Sequence, residues 1–108
     1  MQSYQPLPEE LSLAVSEIHG YGVHATEDIP ASVVLGVTHI EDDSGNFHCN
    51  LIRTALGAYL NHSDQENCVL VKEGKYYKLV TLVPILRGEE LVLNYHKNAC
   101  GTYVTNFK

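Results

Sequence analysis

Residues 59–68 read YLNHSDQENC and join two segments of different periodicity. Before this stretch, apolar residues at 52, 55, 56, 59 and 60 fall on one face of a helix, so the pattern predicts a helix within 51–60. After it, two runs rich in β-branched residues, 68–72 and 76–83, flank Glu-Gly-Lys and predict a hairpin. The polar run between them has two interpretations: side chains that satisfy the free carbonyls of a helix end, or a polar wall for a ligand.

Two further segments carry residue types that bind ligands. Residues 18–25 read IHGYGVHA, in which Gly20 and Gly22 either form a hairpin turn or let the main chain approach a ligand closely. The third glycine and the helix of a dinucleotide-binding loop are absent from this segment. Residues 88–95 read GEELVLNY, a turn followed by a short strand that ends at Tyr95. Tyr95 is either a half-buried tyrosine with its hydroxyl in water or a functional group.

The rest of the chain favours β structure. Alternating apolar residues at 11, 13 and 15 predict a half-buried strand, and the β-branched run 33–40 predicts another. A polar, acidic loop at 41–46 follows that second run. The expected fold class is mainly β, with several small sheets and one short helix.

Composition narrows the function classes. The chain has 108 residues, which predicts a single domain over 1–108. Seven basic against 13 acidic residues give a formal net charge of −6, which argues against direct nucleic-acid binding and favours a basic partner such as a Lys-rich peptide. There is no apolar run of membrane-spanning length and no signal-peptide pattern. Three cysteines without a CxxC spacing argue against a disulfide framework, so we expect a soluble, intracellular protein.

Taken together and in order, the three segments resemble the SET-domain protein lysine methyltransferases. The segment 18–25 is similar to the family's first motif, 59–68 to its Asn-His-Ser motif, and 88–95 to its C-terminal motif. The resemblance covers about residues 11–96, and the length is close to that of the minimal, stand-alone SET proteins of some viruses. It implies a fold of small β-sheets in which the C-terminal segment passes under a loop of the preceding chain, a pseudoknot that brings the second and third motifs together.

The resemblance also implies an activity and a site. The activity is transfer of a methyl group from S-adenosylmethionine to a lysine of a basic protein, such as a histone or a histone-like protein. The implied cofactor-binding residues are Gly20, Tyr21, Gly22, Asn61 and His62, and Tyr95 matches the catalytic tyrosine. Tyr59 is expected in the wall of the lysine channel, and Tyr103 and Phe107 either complete that wall or pack loosely in the tail.

Two departures from the family's pattern leave alternatives open. Only Cys100 follows Tyr95, so the zinc-binding cysteine cluster that ends many members cannot form, and no metal is expected. The tail 97–108 must then close the lysine channel alone, or a second subunit must do so in a homodimer. Residues 64–66 replace the usual continuation of the second motif, which leaves open a SET-fold module that binds cofactor or a basic peptide without turnover. A small metal-dependent β-barrel is a remote third reading, because none of the six histidines shows a ligand spacing.

Overall fold

Eight short strands and one helical turn make up the computed structural model, which describes residues 7–46 and 51–94. The strands are β1 (Leu11–Val15), β2 (Tyr21–Ala25), β3 (Val34–Glu41), β4 (Leu51–Arg53), β5 (Asn61–His62), β6 (Cys68–Glu73), β7 (Tyr76–Thr81) and β8 (Val92–Leu93). The helix, α1, is Ala55–Ala58. The strands form three separate sheets, which confirms the expectation of a mainly β fold of several small sheets.

The largest sheet has four antiparallel strands in the order β4-β3-β7-β6. β6 and β7 are the predicted hairpin, and Gly74 supplies the positive φ of +64° that its two-residue turn requires. Inward-facing side chains alternate with outward-facing ones along both strands, so that Leu70 and Leu79 are almost completely buried. This sheet is one wall of the hydrophobic core.

The helix is much shorter than the periodicity of 51–60 predicts. Residues 51–53 are instead strand β4, paired with the end of β3, and Thr54 caps the single turn by accepting a hydrogen bond from the Gly57 N–H. Gly57 packs against β3 so closely that a Cβ there would overlap the carbonyl oxygen of Thr38. The three residues 51–53 fit the apolar spacing of either element, and pairing with β3 decides for the strand.

The β1–β2 hairpin is a separate two-stranded sheet with Leu11 opposite Ala25 and Val15 opposite Tyr21. The predicted strand at 11–15 is confirmed, but its apolar face is buried only at Leu11, while Leu13 is 42% and Val15 74% exposed. The hairpin extends away from the core toward its turn at 16–20. The turn end of the hairpin is therefore exposed to solvent, and residues of the other two motifs can contact it.

Candidate functional site

The Asn-His-Ser segment and the C-terminal segment meet in the third sheet. β5 and β8 run parallel, with Asn61 opposite Val92 and His62 opposite Leu93, and the Ser63 N–H donates to the Leu93 carbonyl at 2.9 Å. Parallel partners 31 positions apart need a long crossover, here supplied by the β6–β7 hairpin and the chain around it. Two segments that the sequence presents separately are thus adjacent in the structure.

Asn67 holds the opposite side of β8. Its amide Nδ2 donates to the Glu90 carbonyl at 2.8 Å, and its Oδ1 accepts from the Val92 N–H at 2.9 Å. Its backbone N–H donates to the Val92 carbonyl at 3.3 Å. Because β5 bonds one side of β8 and Asn67 the other, the loop 63–67 passes around the strand. This is the arrangement that the resemblance to SET domains implies for the described part of the chain.

The Asn61 side chain connects this pair of strands to the glycine-containing turn. Its Nδ2 lies 3.1 Å from the His19 carbonyl, 3.4 Å from the Tyr21 carbonyl and 2.8 Å from Glu90 Oε2. All three are acceptors, which fixes the amide with its nitrogen toward the turn. No hydrogen bond reaches Asn61 Oδ1 from the residues that the structure describes, so this oxygen is left to accept one from a ligand.

Ser16 and Glu90 complete the cluster, and the sequence analysis missed both. The Ser16 hydroxyl donates to the Glu90 carboxylate, with oxygen separations of 2.8 and 3.0 Å, and it accepts from Asn61 Nδ2 at 3.1 Å. A serine after a strand and a glutamate in a Gly-Glu-Glu turn each look like solvated turn residues. Ser16 lies just before the first motif and Glu90 lies within the third, and their partnership becomes visible only when the two motifs are placed together.

Gly22 leaves the space that the Glu90 carboxylate occupies, and its φ is not in the positive range that favours glycine. A Cβ at Gly22 would overlap the Glu90 carboxylate and lie 3.1 Å from Asn61 Nδ2. Gly20, in contrast, has a φ of +52° and no atom within 4 Å of the position where its Cβ would lie. One glycine therefore lets the main chain lie against the polar cluster, and the other makes the turn and leaves open space beside it.

The remaining predicted residues divide between described and undescribed parts of the chain. Tyr21 is 61% exposed, Tyr59 follows α1 and is 41% exposed, and His62 is half-buried with its Nε2 at 3.4 Å from Asp64 Oδ1. Tyr95, Tyr103 and Phe107 lie outside the described residues. The structure thus brings Gly20, Tyr21, Gly22 and Asn61 into one cluster, with β8 ending at Leu93, two residues before Tyr95.

Other reactive groups in the described ranges do not form a second centre. Cys68 is buried, and burial raises the pKa of its thiol to about 12, so it is not a nucleophile at neutral pH. Within residues 7–46 and 51–94, no group of three or more His, Cys, Asp or Glu side chains is arranged to hold a metal ion. In the same ranges, no helix has the length and apolar character needed to cross a membrane.

Comparison with known proteins supports the arrangement described above. A sequence model of the SET domain matches residues 37–96, more than half of the chain, whereas no curated protein matches by sequence. A candidate histone methyltransferase from Plasmodium falciparum superposes with a TM-score of 0.64 at 17% identity, over 82% of this chain and 95% of that one. The methyltransferase domain of human PR domain-containing protein 2 gives 0.63 at 22% identity, over 80% and 76%. The chain belongs to the SET-domain family.

Proposed function

We propose that this chain is a protein-lysine N-methyltransferase that uses S-adenosylmethionine and acts on a basic protein. The observation that carries the proposal is the meeting of the three motif segments at Asn61, whose amide contacts the turn of the first motif and Glu90 of the third. Family membership supports it, as do the names of the two solved structures, both of which describe methyltransferases. In the proposal, the open turn, the Asn61 oxygen that no described residue bonds and the adjacent C-terminal strand form one site.

The residues of this site suit the methionine part of the cofactor. Its ammonium group needs acceptors and its carboxylate needs backbone N–H donors. Asn61 Oδ1 is an available acceptor, and the exposed backbone around Gly20 and Tyr21 adjoins it without a side chain at position 20 to fill the space. We assign Gly20, Tyr21, Gly22 and Asn61 to this part of the cofactor and the half-buried His62, in the adjacent strand β5, to the adenine.

When bound, S-adenosylmethionine supplies a methyl group on a positively charged sulfonium. The chain's own task is to present a neutral lysine amine in line with it, although a free lysine has a pKa of about 10.4. Desolvation in an aromatic channel and the adjacent positive charge both lower that pKa. In the proposal Tyr95 orients the amine, and Tyr59, Tyr103 and Phe107 line the channel and exclude water. Alignment of this kind is worth about 7–11 kcal/mol.

The charge distribution supports a basic substrate. Acidic residues flank the candidate site in the sequence: Glu17 follows Ser16, Asp64 and Glu66 follow His62, and Glu89 precedes Glu90. Three of the chain's seven basic residues lie instead on the β6–β7 hairpin, where Lys72 and Lys78 form ion pairs with glutamates. The acidic residues next to the site residues in the sequence, together with the net charge of −6, favour the approach of a Lys-rich segment.

Calorimetric titration with S-adenosylhomocysteine, the demethylated cofactor, tests the cofactor assignment first. Saturable binding is expected, and an absence of binding by a folded sample would contradict the proposal. Labelled S-adenosylmethionine is then supplied with core histones, and acid hydrolysis of the product should yield methylated lysine. Cofactor binding without labelled lysine in histones or in a mixed lysate would favour the passive binding module.

Substitution of Tyr95 separates catalysis from binding. Tyr95→Phe should keep the affinity for S-adenosylhomocysteine and lose most of the methyl transfer, because it removes only the hydroxyl proposed to orient the amine. Tyr76→Phe removes a hydroxyl from an exposed tyrosine of β7 and should transfer at the wild-type rate. Equal rates for wild type and Tyr95→Phe would remove Tyr95 from the mechanism.

A further inference from the structure

The Glu90 carboxylate lies between two donors that come from distant parts of the chain. It accepts from the Ser16 hydroxyl, at 2.8 Å to Oε1 and 3.0 Å to Oε2, and from Asn61 Nδ2 at 2.8 Å to Oε2. The contact with Oε2 is the shortest of the four that Asn61 Nδ2 makes. Glu90 is therefore the strongest described partner of the Asn61 amide.

The two neighbours of the Glu90 carboxylate both act as hydrogen-bond donors toward it. Ser16 Oγ already accepts from the backbone N–H groups of Ile18, at 2.9 Å, and His19, at 3.2 Å, so its own hydrogen has to go to Glu90. The Asn61 Nδ2 atom has only hydrogens to offer. Position 90 must then accept at both contacts, which an ionised carboxylate does with one negatively charged oxygen for each donor. A side-chain amide is neutral and has a single oxygen, which would have to serve both donors from the Oε2 position while its NH2 group lies against Ser16 Oγ.

We propose that Glu90 is a positioning residue whose carboxylate fixes the Asn61 amide with Oδ1 toward the cofactor. This inference rests on the proposed function and deepens it, because it assigns the orientation of a cofactor-binding group to a residue of the C-terminal motif. Ser16 takes part by linking the same carboxylate to the turn at 18–19. The third motif thereby orients a residue of the proposed S-adenosylmethionine site, in addition to carrying Tyr95.

Glu90→Gln is the decisive variant, because it keeps the size of the side chain and turns one of its two acceptors into a donor. Loss of a hydrogen bond to a charged group predicts that the Kd for S-adenosylhomocysteine rises about tenfold or more. The KM for the methyl donor should rise by a similar factor, with kcat changed by less than about threefold. Glu89→Gln is the matched control: the adjacent glutamate is exposed, its Oε1 accepts from the Leu86 N–H and from no other described residue, and a glutamine oxygen can replace it. An unchanged Kd in Glu90→Gln would overturn the inference.

A second readout needs no cofactor. In a ¹H–¹⁵N correlation spectrum, the Asn61 side-chain amide is identified by its disappearance in Asn61→Ala. In Glu90→Gln one of its two proton resonances should move upfield toward the position of a free asparagine, whereas Glu89→Gln should leave both in place. Unmoved resonances would contradict the inference. If they move but the wild type binds no S-adenosylhomocysteine, the proposed function fails while the contact between Glu90 and Asn61 stands.

The double variant distinguishes positioning from a general loss of structure. If Glu90 acts through Asn61, then Glu90→Gln should change the Kd less than about twofold once Asn61 is already alanine. If the fold-change in Kd of the double variant equals the product of the two single fold-changes, the residues act independently and the inference is overturned. Thermal unfolding of each variant confirms that the compared proteins are folded.

Discussion

His39 is expected to make the free energy of unfolding depend strongly on pH in the acidic range. It is completely buried in β3, with Nδ1 2.9 Å from the Thr38 hydroxyl and its ring edge-on to Tyr77. Burial, and secondly the positive charge of Arg53, lower the pKa of His39 from 6.5 to about 4. The folded protein therefore carries a neutral imidazole at pH values at which the unfolded chain carries a charged one.

The sign and size of the effect follow from proton linkage. Between about pH 6.5 and pH 4 the unfolded state binds the extra proton, so stability is fully present above this window and falls as the pH is lowered through it. At 1.36 kcal/mol for each pKa unit, the His39 contribution lost between pH 7 and pH 4 is about 3 kcal/mol. For a small domain that is a large part of the total free energy of unfolding.

Urea unfolding at a series of pH values measures this contribution. The chain has seven tyrosines and no tryptophan, so circular dichroism or tyrosine fluorescence is the signal. The free energy of unfolding should fall by about 3 kcal/mol more in the wild type than in His39→Gln, because other titrating groups are common to both. His19→Gln, at an exposed position, should retain the wild-type slope. Parallel curves for wild type and His39→Gln would refute the reasoning, and so would an imidazole resonance of His39 that titrates near pH 6.5.

Two further substitutions test the site. Gly22→Ala should weaken S-adenosylhomocysteine binding about tenfold or more by calorimetry, because its Cβ displaces the Glu90 carboxylate from Asn61. The control is Gly74→Ala, which adds only the strain of a positive φ. It should lower the free energy of unfolding by about 1 kcal/mol and leave the affinity unchanged. Equal affinities for the two variants would contradict the packing argument. Asn67→Ala removes two side-chain hydrogen bonds to the β8 segment and should lower the free energy of unfolding by about 2–3 kcal/mol in urea, whereas the same change at the exposed Asn46 should alter it by less than about 0.5 kcal/mol. A loss at Asn67 as small as that at Asn46 would show that its amide does not hold the strand.

Strands were predictable where the local pattern is unambiguous. The hairpin of β6 and β7 and the strand β3 follow from β-branched runs bounded by turn residues, and the structure confirms them. The helix was predicted too long because residues 51–53 satisfy a helical spacing and a strand equally well, and only the neighbouring β3 decides between them. Burial in β1 was overstated because alternation in sequence does not say how far a strand extends beyond the core.

Candidate site residues were predictable to the extent that the resemblance supplied them. The predicted Asn61 and the glycines at 20 and 22 lie together in the structure. Ser16 and Glu90 were missed because their roles depend on a contact across 74 positions of sequence, which no local pattern encodes. Polar residues such as these are typical of exposed turns, and only the folded structure shows that they bond to each other and to Asn61.

The enclosure of β8 between β5 and Asn67 has a consequence for how the protein folds. Residues 61–67 can form their final contacts only after residues 90–93 have arrived, because the short strand lies within their loop. The hairpin between them is local and can form first, which shortens the loop that remains to be closed. The cluster of Ser16, Asn61 and Glu90 is therefore among the last parts of the described fold to be completed.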